Sequence, residues 1–214
     1  MAEKICPKCN NKRHIFVAGR GWVRCECLGR IRADRLMVKS GFPDSLWEID
    51  IKTLKAKIGE NENGKELLKS ISTSIKKNDK KNMFIYSKTT NKEIAAAVLC
   101  RYTLAVHEDV KTVAYMTLDQ LVQSQFGKEY GENIVTDPIF ADITVISLGC
   151  EMTNNAHRNE LFKLLYERIL TGRQTVILSF IPAFRIKQIY HKAVAELVES
   201  HFNFYTCEVE KEGN

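Results

Sequence analysis

Four cysteines near the N-terminus offer the most specific chemistry in the chain. Cys6-Pro7-Lys8-Cys9 and Cys25-Glu26-Cys27 form a C-x2-C pair and a C-x-C pair with fifteen residues between them. Two short-spaced thiolate pairs, brought together by a hairpin, supply four ligands for a tetrahedral zinc ion. The stretch between them supplies the hairpin. Ile15-Phe16-Val17 and Trp22-Val23-Arg24 read as short strands around Gly19-Arg20-Gly21. Four thiolates close the coordination shell, so such a zinc is structural and not catalytic. It would staple a segment of about forty residues that can hardly build a core alone. Reduced free thiols are the alternative, and His14 is a candidate to replace one cysteine. Cys100, Cys150 and Cys207 lie in apolar contexts and read as core thiols.

A second constellation is notable for what it lacks. Met83-Phe84-Ile85-Tyr86 reads as a strand, and Ile94-Ala95-Ala96-Ala97-Val98 as the body of a helix. The connection is Ser87-Lys88-Thr89-Thr90-Asn91-Lys92-Glu93, without a glycine. A working phosphate loop at a strand-to-helix turn reads G-x-x-x-x-G-K-[ST], and its glycines let backbone N–H groups close around phosphates. The expectation is a nucleotide-type scaffold that does not hydrolyse ATP. Lys88 and Lys92 remain candidates for holding a nucleotide in an unusual way.

The elements around these residues place them. At 214 residues, one domain of ordinary size plus a small appendage is expected. No apolar run is long enough to span a bilayer and no signal-peptide segment is evident, so a cytoplasmic location is expected. Residues 1–40 hold ten Lys and Arg against three Asp and Glu, whereas the remaining residues hold 22 against 23. The positive excess therefore sits in the appendage. It suggests an anionic partner there, nucleic acid or an acidic protein surface, unless it is simply a solvated face. After Cys27, residues 28–37 read as a basic helix that packs through Leu28, Ile31, Leu36 and Met37 and leaves Arg30, Arg32 and Arg35 outside.

Residues 1–54 are read as the zinc-binding domain and 55–82 as a linker containing a helix at about 64–76. The lysine-rich run 76–82 is a solvated loop in the simplest reading, with phosphate contact as the other. Residues 83–214 alternate. Strands at 83–86, 112–116, 143–147, 175–179 and 202–208 are separated by helices at 93–106, 118–126, 156–170 and 184–199. That alternation predicts an α/β fold, a parallel sheet with helices on both faces. Ligands of such sheets bind beyond the C-terminal strand ends, at loops 87–93, 147–155 and 179–183.

The order of these landmarks resembles the DnaC/DnaI-type loaders of replicative helicases, with their phage versions and the transposition ATPase IstB, all built on AAA+ domains. The resemblance spans nearly the whole chain. The cysteine pairs, the basic helix and Ser40-Gly41-Phe42-Pro43 match phage and Firmicute members. The family's L-Y-G-x-x-G-x-G-K-T-x-L-A-A-A is echoed by Ile85-Tyr86 and Ile94-Ala95-Ala96-Ala97. Its D-x-L-I-I-D-D-L-G-x-E is echoed from Asp142 to Glu151, and its T-S-N-L-P by Leu178-Ser179-Phe180-Ile181-Pro182. The departures fall on the chemistry. Glu93 follows Lys92 where a magnesium-binding Ser or Thr belongs. Ser147 replaces the paired acids, Phe180 the sensor asparagine, and Ala195-Glu196 the Ser-Arg of the arginine finger, a group worth about 10³–10⁵ in rate in related phosphoryl transfer.

The resemblance implies an ATPase-inactive, loader-like replication factor, phage-encoded in the simplest reading. Its zinc module would grip a hexameric DnaB-type replicative helicase, and its AAA+-like domain would stack on a neighbour or contact single-stranded DNA. Primase or an active loader is a further expected partner, and no membrane partner is expected. Candidate contact residues are Arg13, Arg20, Trp22, Arg24, Arg30, Arg32 and Arg35. Trp22 has two readings, a stacking platform for bases or the filling of a small zinc-domain core. Alternatives for the whole chain are a zinc-ribbon nucleic-acid-binding protein without a helicase partner, an inhibitor or regulatory subunit that captures a helicase or an active loader, an enzyme with a displaced site, or an unrelated α/β domain.

Overall fold

A strand buried on both faces carries apolar residues on both of them, and the middle of each central strand does so. β3 (Asn82–Tyr86), β5 (Ile143–Leu148) and β6 (Gln174–Ser179) are these strands, the last two buried at every position. With β4 (Val113–Thr117) and β7 (Phe202–Thr206) they form one parallel sheet in the order β4-β5-β6-β3-β7. The computed structural model describes residues 5–59, 61–124, 137–149 and 154–207.

Side chains alternate between the two faces of a strand, and two separate cores result. Met83, Ile85, Val145, Val176 and Leu178 face α1 (Cys27–Val38), α2 (Ile51–Ile58), α3 (Glu62–Lys77) and α4 (Asn91–Val106). Phe84, Ile146 and Ile177 face α5 (Leu118–Ser124), α6 (Asn155–Leu170), α7 (Ile186–Ile189) and α8 (Lys192–His201). The expected parallel sheet with helices on both faces is thus present. Ahead of it stands a hairpin of β1 (His14–Val17) and β2 (Gly21–Arg24), with Gly19 and Gly21 at φ +79° and +70° in its turn. No helix among the described residues is long and apolar enough to cross a membrane.

The first face holds more than the pattern foretold. Residues 51–58 form a helix capped by Asp50, whose side chain accepts from the Thr53 N–H at 2.8 Å, and they bury Leu54 and Ile58. The boundary expected between 54 and 55 falls inside it. The segment read as a linker packs against α4 through Leu67, Ile71 and Ile75 of α3. The basic run after α3 is solvated, as the simplest reading held: Lys76, Lys77, Lys80 and Lys81 are exposed, and Asn78 ends the helix in the left-handed region.

α1 packs through Leu36 and Met37 as expected, but not through Ile31. Ile31 is 40% exposed, whereas Ala33 and Met37 are fully buried. With Gly29 these two lie four residues apart along one side, and small residues there let two helices approach closely. A Cβ on Gly29 would stand 2.1 Å from the Ala105 carbonyl oxygen of α4. The helix expected over 184–199 is interrupted. A short 3-10 turn and α7 lead to buried Tyr190, then His191 adopts φ +40° and its Nδ1 accepts from the Ala193 N–H, capping α8.

Arg168 of α6 is fully buried at the opposite end of the sheet. Its guanidinium donates to Thr175 Oγ1 at 2.9 Å, to the carbonyls of Pro138 at 2.7 Å and Ala141 at 2.8 Å, and to Gln174 O. Burial pulls its pKa down to about 9, which still leaves it charged at neutral pH.

The close approach at Gly29 gives a direct test. Gly29→Ala forces α1 off α4, and overpacking of this kind costs about 1–3 kcal/mol. Urea unfolding of the variant should show an unfolding free energy lower by that amount, seen as a lower midpoint at an unchanged slope.

Candidate functional site

The cysteine lobe is built from turns that suit few residue types. Asn10, Asn11 and Arg13 all have φ between +51° and +66°. Asn tolerates this region better than most residues. The turns fold Cys6–Cys9 back onto Cys25–Cys27, and the Cys25 N–H donates to the Arg13 carbonyl at 2.8 Å. Cys6 and Cys25 Sγ lie 3.8 Å apart, Cys9 and Cys27 Sγ 3.4 Å apart, and all four sulfurs fall within 4.8 Å of one another. Metal–sulfur bonds of about 2.3 Å in a tetrahedron place sulfurs about 3.8 Å apart. The spacing therefore suits a metal ion of the zinc kind.

The thiols also differ in acidity. Backbone N–H groups of Cys9 and Lys8 pull Cys6 down to about 6, and burial pushes Cys27 up to about 12. His14 stays outside the four-sulfur group, exposed at the start of β1. Of the remaining cysteines, Cys100 and Cys207 are buried core thiols as expected, and Cys150 lies outside the described residues.

The β3–α4 turn occupies the C-terminal edge of the sheet, where the phosphate loop was sought. Three of its N–H donors are used within the protein. The Thr89 N–H donates to Ser87 Oγ at 3.1 Å, and the Asn91 N–H to Thr89 Oγ1 at 3.3 Å. The Ser87 N–H donates to the Ser179 carbonyl at 3.0 Å. Lys92 is fully buried. Its ammonium donates to the Thr89 carbonyl at 2.9 Å, lies 3.3 Å from Glu93 Oε1, and sits 3.1 Å from the centre of the Phe180 ring. A cation over an aromatic face is attracted by the ring's quadrupole. Glu93 lies in the first turn of α4, where the helix dipole favours an anion. Lys88 is exposed beside this turn.

The neighbouring strands complete the arrangement. Tyr115 of β4 stacks on Phe42 with ring centres 4.5 Å apart, and its N–H donates to the Ser40 carbonyl. Burial first, and then the Glu93 charge, push the Tyr115 phenol up, while a hydrogen bond with Ser147 acts the other way. Ser147 itself is buried at the end of β5. Ala195 is buried in α8 and Glu196 pairs with Lys192 at 3.5 Å. Glu151 lies outside the described residues.

The contact candidates separate into two groups. Arg13, Arg24, Arg30, Arg32 and Arg35 line one cleft between the cysteine lobe, α1 and the end of α4. Arg32 is not outside, as expected, but half-buried. It donates to the carbonyls of Leu104 at 2.9 Å, His107 at 3.0 Å, Glu108 at 3.2 Å and also Val110, closing the C-terminal end of α4. Arg24 pairs with Glu108 and Arg30 with Glu26, each at 3.1 Å. Arg20 and Trp22 belong to the hairpin. Trp22 is 71% exposed and meets the equally exposed Phe16 edge-on at 5.9 Å, so it does not fill a core. Four-residue strands joined by a tight turn leave nothing for it to pack under. Glu108, Val106 and Tyr115 were missed, because nothing local in the sequence marks a contact made across seventy residues.

The fold and its cysteine lobe define the class: a five-stranded parallel α/β domain with helices on both faces, carrying a small appendage whose four cysteines could hold a metal ion. No protein-family profile matches the sequence, and no curated protein matches it. Solved structures do match in shape. A protein described as a primosome component of Streptococcus pyogenes serotype M3 aligns with TM-score 0.64 and 14% identity over 83% of this chain and 95% of that one. The DnaC helicase loader aligns with TM-score 0.59 and 13% identity over 78% of this chain and all of the other. The replication initiator DnaA bound to AMPPCP and single-stranded DNA aligns with TM-score 0.55 and 15% identity over 76% of this chain and 52% of that one. The chain therefore has the fold of helicase loaders and of the DnaA AAA+ domain.

The Lys92–Glu93 pair is the most exposed to test. Removing one partner of a buried pair costs about 3–5 kcal/mol because the other charge is stranded. Glu93→Gln and Lys92→Met should each destabilise strongly, and Lys92→Met/Glu93→Gln should recover much of the loss in a thermal-melt comparison.

Proposed function

We propose that this protein is a DNA-replication factor of the helicase-loader type that works without hydrolysing ATP. In this reading it grips a hexameric DnaB-type helicase through its zinc-stapled lobe and helps place that helicase on single-stranded DNA. The observation that carries the reading is the β3–α4 turn of a loader fold, closed on its own hydroxyls and on Lys92. Hydrolysis needs an open cradle of N–H groups, a magnesium ligand and a positioned water. Here Glu93 follows the lysine, Ser147 stands at the strand end, and Phe180 covers the ammonium. Holding and release then depend on binding energy, with primase, DNA or an active loader as the displacing partner.

Zinc would be held by Cys6, Cys9, Cys25 and Cys27, and would supply a fixed tetrahedral staple. The ligands must give up their protons to bind it, so acid weakens the site. We expect one zinc per chain by elemental analysis, with loss of zinc as the pH is lowered and absence of zinc in Cys25→Ser/Cys27→Ser.

A tagged pull-down from the native lysate tests the partner. Wild type should recover a replicative helicase and the zinc-less variant should not. Recovery of nucleic acid alone, abolished by nuclease, would replace the loader reading with that of a zinc-ribbon nucleic-acid-binding protein. The exposed Phe16–Trp22 pair beside Arg20 favours a DNA contact at the hairpin in either case.

Addition of Mg-ATP should leave the melting temperature unchanged and release no phosphate above background. Turnover that disappears in Lys92→Ala would overturn the ATP-independent mechanism.

A further inference from the structure

The open cleft between the cysteine lobe and the sheet domain offers about 1050 Å³. That is at or above the upper end of ordinary small-molecule pockets, which run to about 1,000 Å³. Its floor is aliphatic. Ile31 of α1 is 40% exposed there and Val106 of α4 is 56% exposed, with Leu28 and Ala105 beside them. Its rim is basic, with Arg13, Arg24, Arg30 and Arg35 all exposed.

Charge on the rim is only partly neutralised within the chain. Glu26 serves both Lys8 and Arg30, and Glu108 serves Arg24. These pairs are more than half exposed, and exposed pairs contribute little and exchange readily. Arg13 and Arg35 have no ion-pair partner among the described residues. Arg32, whose guanidinium is spent on four carbonyls, holds the two walls together instead.

We infer that this cleft docks an acidic amphipathic helix of a partner protein. An apolar stripe on the incoming helix would cover Ile31 and Val106, and carboxylates flanking the stripe would meet the arginine rim. This is the helix-in-groove mode, in which apolar anchors set affinity and charges set register. A nucleic-acid strand suits the cleft less well. Bases bind such channels by stacking on successive aromatic rings, and the lining offers Tyr102 and the imidazole of His14 but no Phe or Trp among the described residues. The exposed aromatic pair Phe16–Trp22 lies on the hairpin, outside it. The inference rests on the reading of the cysteine lobe as a partner-contact module.

The test uses the full-length, zinc-loaded protein and fluorescence anisotropy with three labelled probes. One is an 18-residue synthetic helix with leucines spaced i, i+3, i+4, i+7 and glutamates flanking them. The second has the same composition in shuffled order, and the third is an 18-nucleotide oligo-dT. The amphipathic helix should bind at least tenfold more tightly than the shuffled peptide. Arg35→Glu and Val106→Asp, both at exposed positions, should each weaken it at least fivefold while circular dichroism stays unchanged. Equal binding of the two peptides, indifference of the helix to both substitutions, or oligo-dT binding tighter than the helix's and lost in both variants would each overturn the inference. The helicase pull-down separates this from the loader reading. Equal helicase recovery by wild type, Arg35→Glu and Val106→Asp would sink the cleft alone. Peptide binding that responds to both substitutions, with no helicase recovered by wild type, would sink the loader reading alone.

Discussion

A charge taken out of water must find its partners inside the protein, at a cost of several kcal/mol if it does not. Among the cations drawn away from solvent in the described residues, Arg32, Arg168 and Lys92 each organise a different junction. Arg32 gathers four carbonyls at the end of α4 and so fixes α1, with the lobe it carries, against the sheet domain. Arg168 gathers carbonyls from residues 138–141 and 174 and ties the approach to β5 to the start of β6. Lys92 gathers a carbonyl, a carboxylate and a ring, and so closes the β3–α4 turn onto the end of β6. The apolar cores make the layers. These cations determine how the ends of the layers meet.

Much of this was legible because its signal is local. The strands β3, β4, β5 and β6 are largely apolar in their middles, the hairpin carries its glycines, and the thiol pairs carry their own spacing. The four sulfurs meet as their spacing implied. What was not legible depends on distant partners. Arg32 looked like any exposed arginine on a basic helix, since its acceptors lie more than seventy residues away. The packing face of α1 runs through Gly29, Ala33 and Met37, and a hydrophobicity count favours Leu28 and Ile31 over a glycine. The break at His191 has no Pro or Gly to announce it, and depends on a side chain capping the next helix. α2 was concealed by its lysines, which outnumber the two residues that it buries completely.

The turn at Ser87–Glu93 combines both kinds of information. Its lack of glycine could be read directly, but the partners that its N–H groups and its lysine take could not. Hydroxyls of Ser87 and Thr89 take the N–H groups, and Phe180 and Glu93 take the lysine. Each contact is modest alone. Together they make the turn part of the protein's own packing. On the proposed reading, a domain of this kind has no nucleotide-driven alternation between states, and its partners must set its timing.

Cys27 is both the last thiol of the cluster and the first residue of α1. The appendage therefore has no hinge residue between its sulfur cluster and a helix seated, through Gly29, directly on α4. Swivelling the hairpin would mean unwinding the first turn of that helix or separating a sulfur from its fellows. The lobe is thus a lever with a fixed elbow and not a bead on a string. A force applied at its exposed aromatic tip arrives at the sheet as a torque, so that a partner holding the tip also dictates the orientation of the entire body behind it.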